Sequence, residues 1–403
     1  MKKKINHILP ALVLTASLGL TTVSCNGFLD EMPDNRTELN TDQKIAKLLV
    51  SAYADVSPNE LFELYSDNSD DSGPTYGYYK LSEQECYHWQ DTKEEYQDTP
   101  NSLWGGYYSA IAAANMALNA IEEKGNPASL DPQRGEALVC RAYCHFMLAN
   151  IFCNAYDTHA SQSLGVPYME EVETTVSPRY ERGTLEEVYR KVERDLLEGI
   201  DLISDDSYSV PKYHFTRKAA YAFAARFYLY YMKPDFSNCD RVIDFATRVL
   251  GTNPADLLRN WEALGNLSVN GNVQADAYIA SSNEANLLIS STVSNWGAIG
   301  SDYLIGPRYF HNQTLATSET CLSSGLWGSS DYFYLKPFST NGFVASILRK
   351  SGLYEGTYLY YMPVLFSTDE TLLCRAEAYA LKKMYSQSAA DITSWQRAYT
   401  RNK

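Results

Sequence analysis

The stretch Gln133–Tyr156, QRGEALVCRAYCHFMLANIFCNAY, decides the fold of this chain. Its apolar residues recur at helical spacing in two adjacent stripes, which are Leu138, Ala142, Phe146, Ala149 and Cys153, and Val139, Tyr143, Met147 and Ile151. A surface helix needs only one apolar face, so two stripes predict a helix enclosed by neighbours on two sides. The small side chains of Ala142 and Ala149 would let a partner helix approach closely. The sequence therefore predicts a central helix in a stack of helices.

Further helices are predicted on both sides of the central one. They are Asn101–Lys124, a helix capped by Thr184, a helix capped by Thr216, Asp240–Leu250 with Gly251 after its end, a helix from Asp369, and Ala389–Thr400. Paired helices with small residues at their contacts are typical of tetratricopeptide-type repeats, although insertions interrupt the usual period of about 34 residues. We predict a mostly α fold of tetratricopeptide-like helical hairpins at about residues 101–250 and 369–401.

A loop-rich region is predicted at about residues 252–363, inserted between the helical hairpins. Gly, Ser, Asn, Tyr and Trp dominate it, and only short strands are expected, such as Ala285–Ser290. Long insertions in a rigid scaffold are where binding residues concentrate. We therefore expect the ligand region there.

Composition narrows the class of protein. Hydrophobic residues make up 45% and charged residues 21% of the chain, which is a globular composition. The formal net charge of −15 argues against nucleic acid and against anionic membrane surfaces as partners. Tyrosine, with 32 residues against 14 Phe, suits both helix packing and contact with polar ligands.

The N-terminus predicts export and lipid anchoring. Residues 1–24 have a lysine-rich start and an apolar stretch of secretory length, which is too short to span a membrane. The segment ends in small residues before Cys25, as in the lipobox of bacterial lipoproteins, where the cysteine carries acyl chains such as palmitate. We predict a signal peptide at 1–24, a lipidated tether at 25–41 and a folded domain at 42–403.

Several motifs in order resemble the SusD/RagB family of outer-membrane lipoproteins, which capture nutrients and commonly glycans. The motifs are Cys25-Asn-Gly-Phe-Leu-Asp30 with Pro33, Ser51-Ala-Tyr53, Trp104-x-x-Tyr107-x-x-Ile111-x-x-x-Asn115, Arg141-Ala-Tyr143-x-x-Phe146, Gly165-Val-Pro167 followed by Glu186-Glu-Val-Tyr189 and Asp195-Leu196, and Arg375-Ala-Glu-Ala-Tyr379. Family members normally continue beyond the last helical pair, so the chain is expected to be C-terminally short.

The resemblance implies a non-catalytic protein, anchored through Cys25 in the outer membrane, surface-exposed and working with a SusC-like TonB-dependent transporter. It also implies an aromatic arc on loops that binds an oligosaccharide, because the apolar face of a pyranose fits an aromatic plane. The candidate ligand-binding residues are Trp89, Trp296, Tyr303, Tyr309 and Trp327. Each of these aromatic side chains is also a candidate for ordinary packing.

No cofactor, metal or catalytic group is predicted. The sequence contains no G-x-S-x-G, P-loop, H-E-x-x-H or G-x-G-x-x-G pattern. The acidic loop Ser66–Tyr79 fails the calcium-loop spacing, since the twelfth position counted from Asn68 is Tyr79 and not Glu. Cys140 and Cys144 are expected to be buried free thiols. Three alternatives stay open: a peptide-binding RagB-type scavenger, a tetratricopeptide adaptor for proteins and, less favoured, a glycoside hydrolase.

Overall fold

The computed structural model describes residues 39–75, 80–175, 178–268, 273–298, 308–310, 314–315, 334, 353–355 and 358–400. The chain divides into two compact units, Met1–Asn40 and Thr41–Lys403. All elements named below belong to the second unit. The lipidation candidate Cys25 and the aromatic candidates Tyr303 and Trp327 lie outside the described residues.

The second unit is mostly helical, as predicted. Its helices are α1 Asp42–Leu48, α2 Asn59–Leu64, α3 Leu81–Tyr87, α4 Pro100–Glu123, α5 Asp131–Phe152, α6 Leu185–Leu202, α7 Arg217–Tyr230, α8 Cys239–Leu250, α9 Trp261–Gly265, α10 Val273–Ile279, α11 Thr368–Leu381 and α12 Tyr385–Tyr399. The long helices pack as neighbours along the chain, α4 on α5, α5 on α6, α7 on α8 and α11 on α12, and α8 also packs on α11. These pairs are the predicted helical hairpins.

Helix α5 is the predicted central helix, and it is enclosed more completely than its two stripes require. Every residue from Gly135 to Ala149 is buried. A close approach of α5 to α6 is made at two glycines. A Cβ added to Gly135 would lie 2.8 Å from the carbonyl oxygen of Gly199, and one added to Gly199 would lie 2.7 Å from the carbonyl oxygen of Gly135. The two backbones therefore touch where neither residue has a side chain.

Arg141 links the first three long helices in the interior. Its Nε donates to Asp195 Oδ2 of α6 at 2.6 Å, and its Nη1 donates to Asn115 Oδ1 of α4 at 3.0 Å. Tyr168 also donates to Asp195 Oδ2, at 2.7 Å. Arg141 and Asp195 are 6% and 0% exposed, so this is a buried pair whose charges are met by hydrogen bonds on both sides. The motif Arg141-Ala-Tyr143 thus has a structural role.

Next to this network, His145 is a neutral, fully engaged core residue. Its Nδ1 is 2.9 Å from the Arg141 carbonyl oxygen, and its Nε2 accepts from the Met169 N–H at 3.0 Å. Burial lowers the pKa of His145 to about 3. Both ring nitrogens of His145 are therefore occupied by contacts with the backbone.

The strands are short and pair antiparallel. They are β1 Asp70–Asp71, β2 Asn286–Ile289, β3 Thr292–Val293, β4 Tyr309–Phe310, β5 Leu353–Glu355, β6 Tyr358–Tyr361 and β7 Val364–Ser367. β1 pairs with β4, β2 with β7, and β6 lies between β3 and β5. The strand predicted at Ala285–Ser290 is β2, and its four residues are buried. The pairing of β1 with β4 brings Asp71 opposite Tyr309, near the candidate site.

Helix ends follow the predicted capping signals at Thr184, Thr216 and Gly251. Thr184 and Thr216 each accept a backbone N–H three residues on, and Gly251 after α8 has φ +64°. Thr41 caps α1 in the same way as the other two threonines. One residue of the first stripe is corrected, because α5 ends at Phe152 and Cys153 is its C-cap residue. Helix α11 ends at Leu381, and Lys383 beyond it has a φ of 61°.

The described cysteines are free thiols, as expected, and five of the six are buried: Cys86, Cys140, Cys144, Cys239 and Cys374. Cys153 is half-buried. Among the described helices, none combines the length and the hydropathy that crossing a bilayer demands.

Candidate ligand-binding site

An aromatic cluster lies where α2 and α3 end, formed by Tyr65, Tyr87, His88, Trp89 and Tyr309. The Trp89 ring is 4.7 Å from the Tyr65 ring, and Tyr87 stacks on Tyr309 at 4.7 Å. The edge of His88 meets both Tyr87 and Tyr309. Trp89 is 73% exposed, whereas Tyr309 is 3% exposed, so the Trp89 indole faces outward and the Tyr309 ring is buried. Such an indole offers an apolar plane to a ligand.

The backbone of Trp89 is unusual for a bulky residue. Trp89 follows the last residues of α3 with a φ of 56°, in the left-handed region. Its N–H donates to the Cys86 carbonyl at 2.9 Å, and the Gln90 N–H donates to the Glu85 carbonyl at 2.8 Å. These two bonds form a Schellman motif, in which this position is usually glycine. A tryptophan here is both strained and exposed, and such outliers cluster at binding sites.

Polar groups around the cluster are fixed. Arg308 donates to both carboxylate oxygens of Asp71, at 2.6 and 2.7 Å, and its guanidinium lies 5.0 Å from the Tyr309 ring. The hydrogen bond from Arg308 lowers the pKa of Asp71. Burial raises the pKa of Tyr65 to about 12 and also raises that of Tyr87, so both phenols are neutral at physiological pH. The exposed indole therefore stands near ionised groups, Arg308 and Asp71, that pair with each other, which suits a polar, uncharged ligand.

The other described candidates do not present their rings. Trp296 lies in a 3-10 turn, Asn295–Ala298, and is 7% exposed, with Tyr361 beside its indole. Tyr309 lies under the cluster between Tyr87 and Arg308. Neither ring offers a face to a sugar, because each is covered by its neighbours. Of the candidates among the described residues, the structure leaves Trp89 as the accessible one.

Sequence reasoning missed Tyr65, Tyr87 and His88. The run Tyr87-His88-Trp89 is a visible signal, because three consecutive ring residues at a helix end cannot all face the core. Tyr65 carries no such signal, since its contact with Trp89 arises from the packing of α2 against α3.

Comparison with known proteins decides the family. A family model described as starch-binding and associating with the outer membrane, SusD-like, matches residues 27–229, half of the chain. The chain belongs to the SusD-like family. The match covers the central helix and the aromatic residues at the end of α3.

Solved structures show the same fold as this SusD-like chain. A SusD superfamily protein from Bacteroides fragilis aligns with a TM-score of 0.64 at 16% identity, over 90% of this chain and 80% of that one. A SusD-like carbohydrate-binding protein from Bacteroides vulgatus gives 0.61 at 15% identity, over 90% and 76%. A SusD superfamily protein from Bacteroides thetaiotaomicron gives 0.62 at 15%, over 89% and 79%. Among curated proteins, none matches the SusD-like chain.

Proposed function

We propose that this SusD-like protein captures an oligosaccharide at the outer membrane without transforming it. The family is described as starch-binding, and one protein of the same fold is described as carbohydrate-binding. The observation that carries the proposal is the exposed indole of Trp89, held beside Tyr65 on a strained, left-handed backbone. Backbone strain of this kind is typically retained at positions where the side chain contributes to binding.

Binding rests on stacking in this proposal. The indole covers the apolar face of one pyranose, and Tyr65, whose ring lies 4.7 Å away at a tilt of 33°, packs against the indole and supports it. Stacking of this kind discriminates poorly among sugars, so selectivity comes from the groups that meet the hydroxyls at the rim, of which His88 is one exposed candidate.

Replacing Trp89 by alanine tests the site. We expect the dissociation constant for maltoheptaose or another bound glycan to rise at least about tenfold, because a central aromatic contact is lost. The matched control is Tyr385→Ala, which removes a 66% exposed aromatic side chain on α12. Isothermal titration on the chain from residue 26 onward measures both variants.

A screen for binding and turnover distinguishes glycan capture from the alternatives of peptide binding and glycan hydrolysis. A panel of polysaccharides and peptides, followed by chromatography of the glycans after incubation, reports binding and turnover together. Binding of one glycan class without cleavage supports capture. Binding of peptides alone, or release of shorter glycans, would contradict it.

Anchoring and delivery complete the proposal. Cys25 carries the acyl chains that hold the protein on the membrane, and a SusC-like TonB-dependent transporter receives the ligand. Replacing Cys25 by alanine should abolish incorporation of labelled palmitate and release the protein from the membrane fraction. Purification of the tagged wild-type protein from solubilised outer membranes should bring the transporter with it.

A further inference from the structure

The short helices α2 and α3 contact each other at both ends. At their C-terminal ends, Tyr65 caps α2 and its ring meets that of Trp89, just beyond α3. At their N-terminal ends, Glu60 in the first turn of α2 faces Lys80, the N-cap residue of α3. The interactions at the N-terminal ends of α2 and α3 therefore also influence how Trp89 packs against Tyr65.

A buried carboxyl cluster, Glu60, Glu83 and Asp98, surrounds Lys80. The Lys80 Nζ lies 3.8 Å from Glu60 Oε1 and 3.9 Å from Glu83 Oε1. The backbone N–H of Lys80 donates to Glu83 Oε2 at 3.2 Å. Glu60 and Asp98 lie within hydrogen-bonding reach of each other. The three acids are only 5%, 8% and 6% exposed. The three carboxyl groups are thus buried around the ammonium group of Lys80.

The contact between Glu60 and Asp98 needs a proton. Glu60 Oε2 and Asp98 Oδ1 are buried, and no N–H or O–H group of the described residues reaches them. Two carboxylates can hydrogen-bond only if one of them is protonated, and two buried neighbours cannot both ionise without a large cost. Burial raises the pKa of Glu60 well above its usual range, and it raises those of Asp98 and Glu83 as well.

Asp98 connects this cluster to a third segment. Its Oδ2 accepts the Asn295 N–H at 2.8 Å, and the Ser294 hydroxyl also bonds to it, which fixes the turn that contains Trp296. Asp98 has a φ of 69° and directly precedes Thr99, the N-cap of α4. Among the described residues, further titratable neighbours are Cys86 of α3, which faces Glu60, and Glu94, which faces Glu83.

We propose that a proton shared by Glu60 and Asp98 limits the charge repulsion between α2 and α3 around Lys80 and so positions Trp89 against Tyr65, which makes ligand capture stronger in mildly acidic than in alkaline medium. Glu60 and Asp98 are positioning residues, since neither touches the outer face of the cluster. The effect on capture rests on the proposed function, whereas the effect on the Trp89 plane does not.

The sign of the pH dependence follows from the raised pKa values. A carboxyl group with a raised pKa in the folded state gives its full stabilisation below the pKa of the unfolded group, near about 4.3. That stabilisation is lost as the pH rises through the folded-state pKa. Above it, Glu60, Glu83 and Asp98 all carry charge beside one lysine, and their repulsion favours separation of the two helices.

The test follows Trp89 itself between pH 5 and pH 8. The difference in tryptophan emission between the wild type and Trp89→Phe isolates the signal of this ring. We expect that signal to shift with pH in the wild type and to stay flat when the same difference is taken in a Glu60→Gln background. Over the same range the melting temperature of the wild type should fall about 2–4 °C more than that of Glu60→Gln.

Control variants make the result decisive. Glu122→Gln removes an exposed acid on α4 and should keep the wild-type pH profile. Asp98→Asn should flatten the profile as Glu60→Gln does, and it serves if that variant fails to fold. A flat wild-type signal, or an unchanged slope in both amide variants, overturns the proposal. A shifting Trp89 signal without glycan binding at any pH would overturn the proposed function and leave this inference standing.

Discussion

At the scale of single residues, Trp89 shows how strain can point to a site. The helix end before it has both hydrogen bonds of a Schellman motif, so the local backbone is satisfied. What is unfavourable is only the residue type, because a side chain in the left-handed region crowds the neighbouring carbonyl. Exposure and strain together separate Trp89 from Trp296 and Tyr309, which pack like ordinary core aromatics.

This separation gives a paired prediction. Trp89→Gly and Trp89→Ala both remove the indole and should weaken glycan binding equally. Only glycine relieves the left-handed backbone, so the glycine variant should be more stable than the alanine variant by about 1 kcal/mol. Urea unfolding followed by circular dichroism measures the difference. Equal stability of the two variants would show that the φ of 56° stores no strain.

At the scale of elements, the two glycines between α5 and α6 determine how closely these helices pack. The sequence indicated close helix approach at Ala142 and Ala149, and the contact between the two glycines is a further one. Gly135 lies near the start of α5 and Gly199 near the end of α6, so their meeting depends on how the two helices cross. Crossing geometry is a tertiary property that a stripe of small residues does not reveal.

Alanine substitutions test this contact against helix propensity. In an exposed helix, Gly→Ala stabilises by about 1 kcal/mol, and Gly105→Ala in α4 should do so, because nothing lies within 4 Å of its added Cβ. Gly135→Ala should instead destabilise by about 1–3 kcal/mol, since backbone atoms at 2.8 Å cannot move aside. Denaturant unfolding of both variants gives the comparison. A stabilised Gly135→Ala variant would rule out the close contact.

At the scale of the whole molecule, Arg141 is the central polar link of the hairpin stack. It joins α4, α5 and α6 from a buried position, and its bond from Nε to Asp195 requires the fixed fork of a guanidinium. The motif Arg375-Ala-Glu-Ala-Tyr379 also places a buried arginine between helices. Arg375 of α11 donates to both oxygens of Asp391 in α12, at 2.8 and 2.9 Å, and to the Gly251 carbonyl after α8.

We therefore expect Arg141→Lys to destabilise the protein strongly. One ammonium group cannot reach Asp195 and Asn115 at once, and an imperfectly paired buried carboxylate costs about 3–5 kcal/mol. The control is Arg248→Lys, because the ion pair of Arg248 with Asp244 is half exposed and such pairs contribute less than about 1 kcal/mol. Calorimetry on both variants should show a large loss of melting temperature only for Arg141→Lys.

The sequence predicted the frame better than the site for a physical reason. Helical periodicity, the threonine caps and Gly251 are local signals, and each lies in the structure where the sequence indicated. The aromatic cluster assembles Tyr65, Trp89 and Tyr309 from three separate segments, and only packing decides which ring is outermost. The burial of Trp296 could not be predicted for the same reason, because its indole is covered in part by Tyr361, which lies far along the chain.

The enclosure of α5 has a consequence for amide hydrogen exchange. Its residues from Gly135 to Ala149 are all buried, so their amides should exchange only when the whole unit unfolds. The helices α2 and α3 are 6 and 7 residues long, and they can open in smaller fluctuations. Deuterium uptake should then divide the protein into a slow frame and a fast site. A ligand bound at Trp89 would slow uptake in α2 and α3 and leave α5 unchanged.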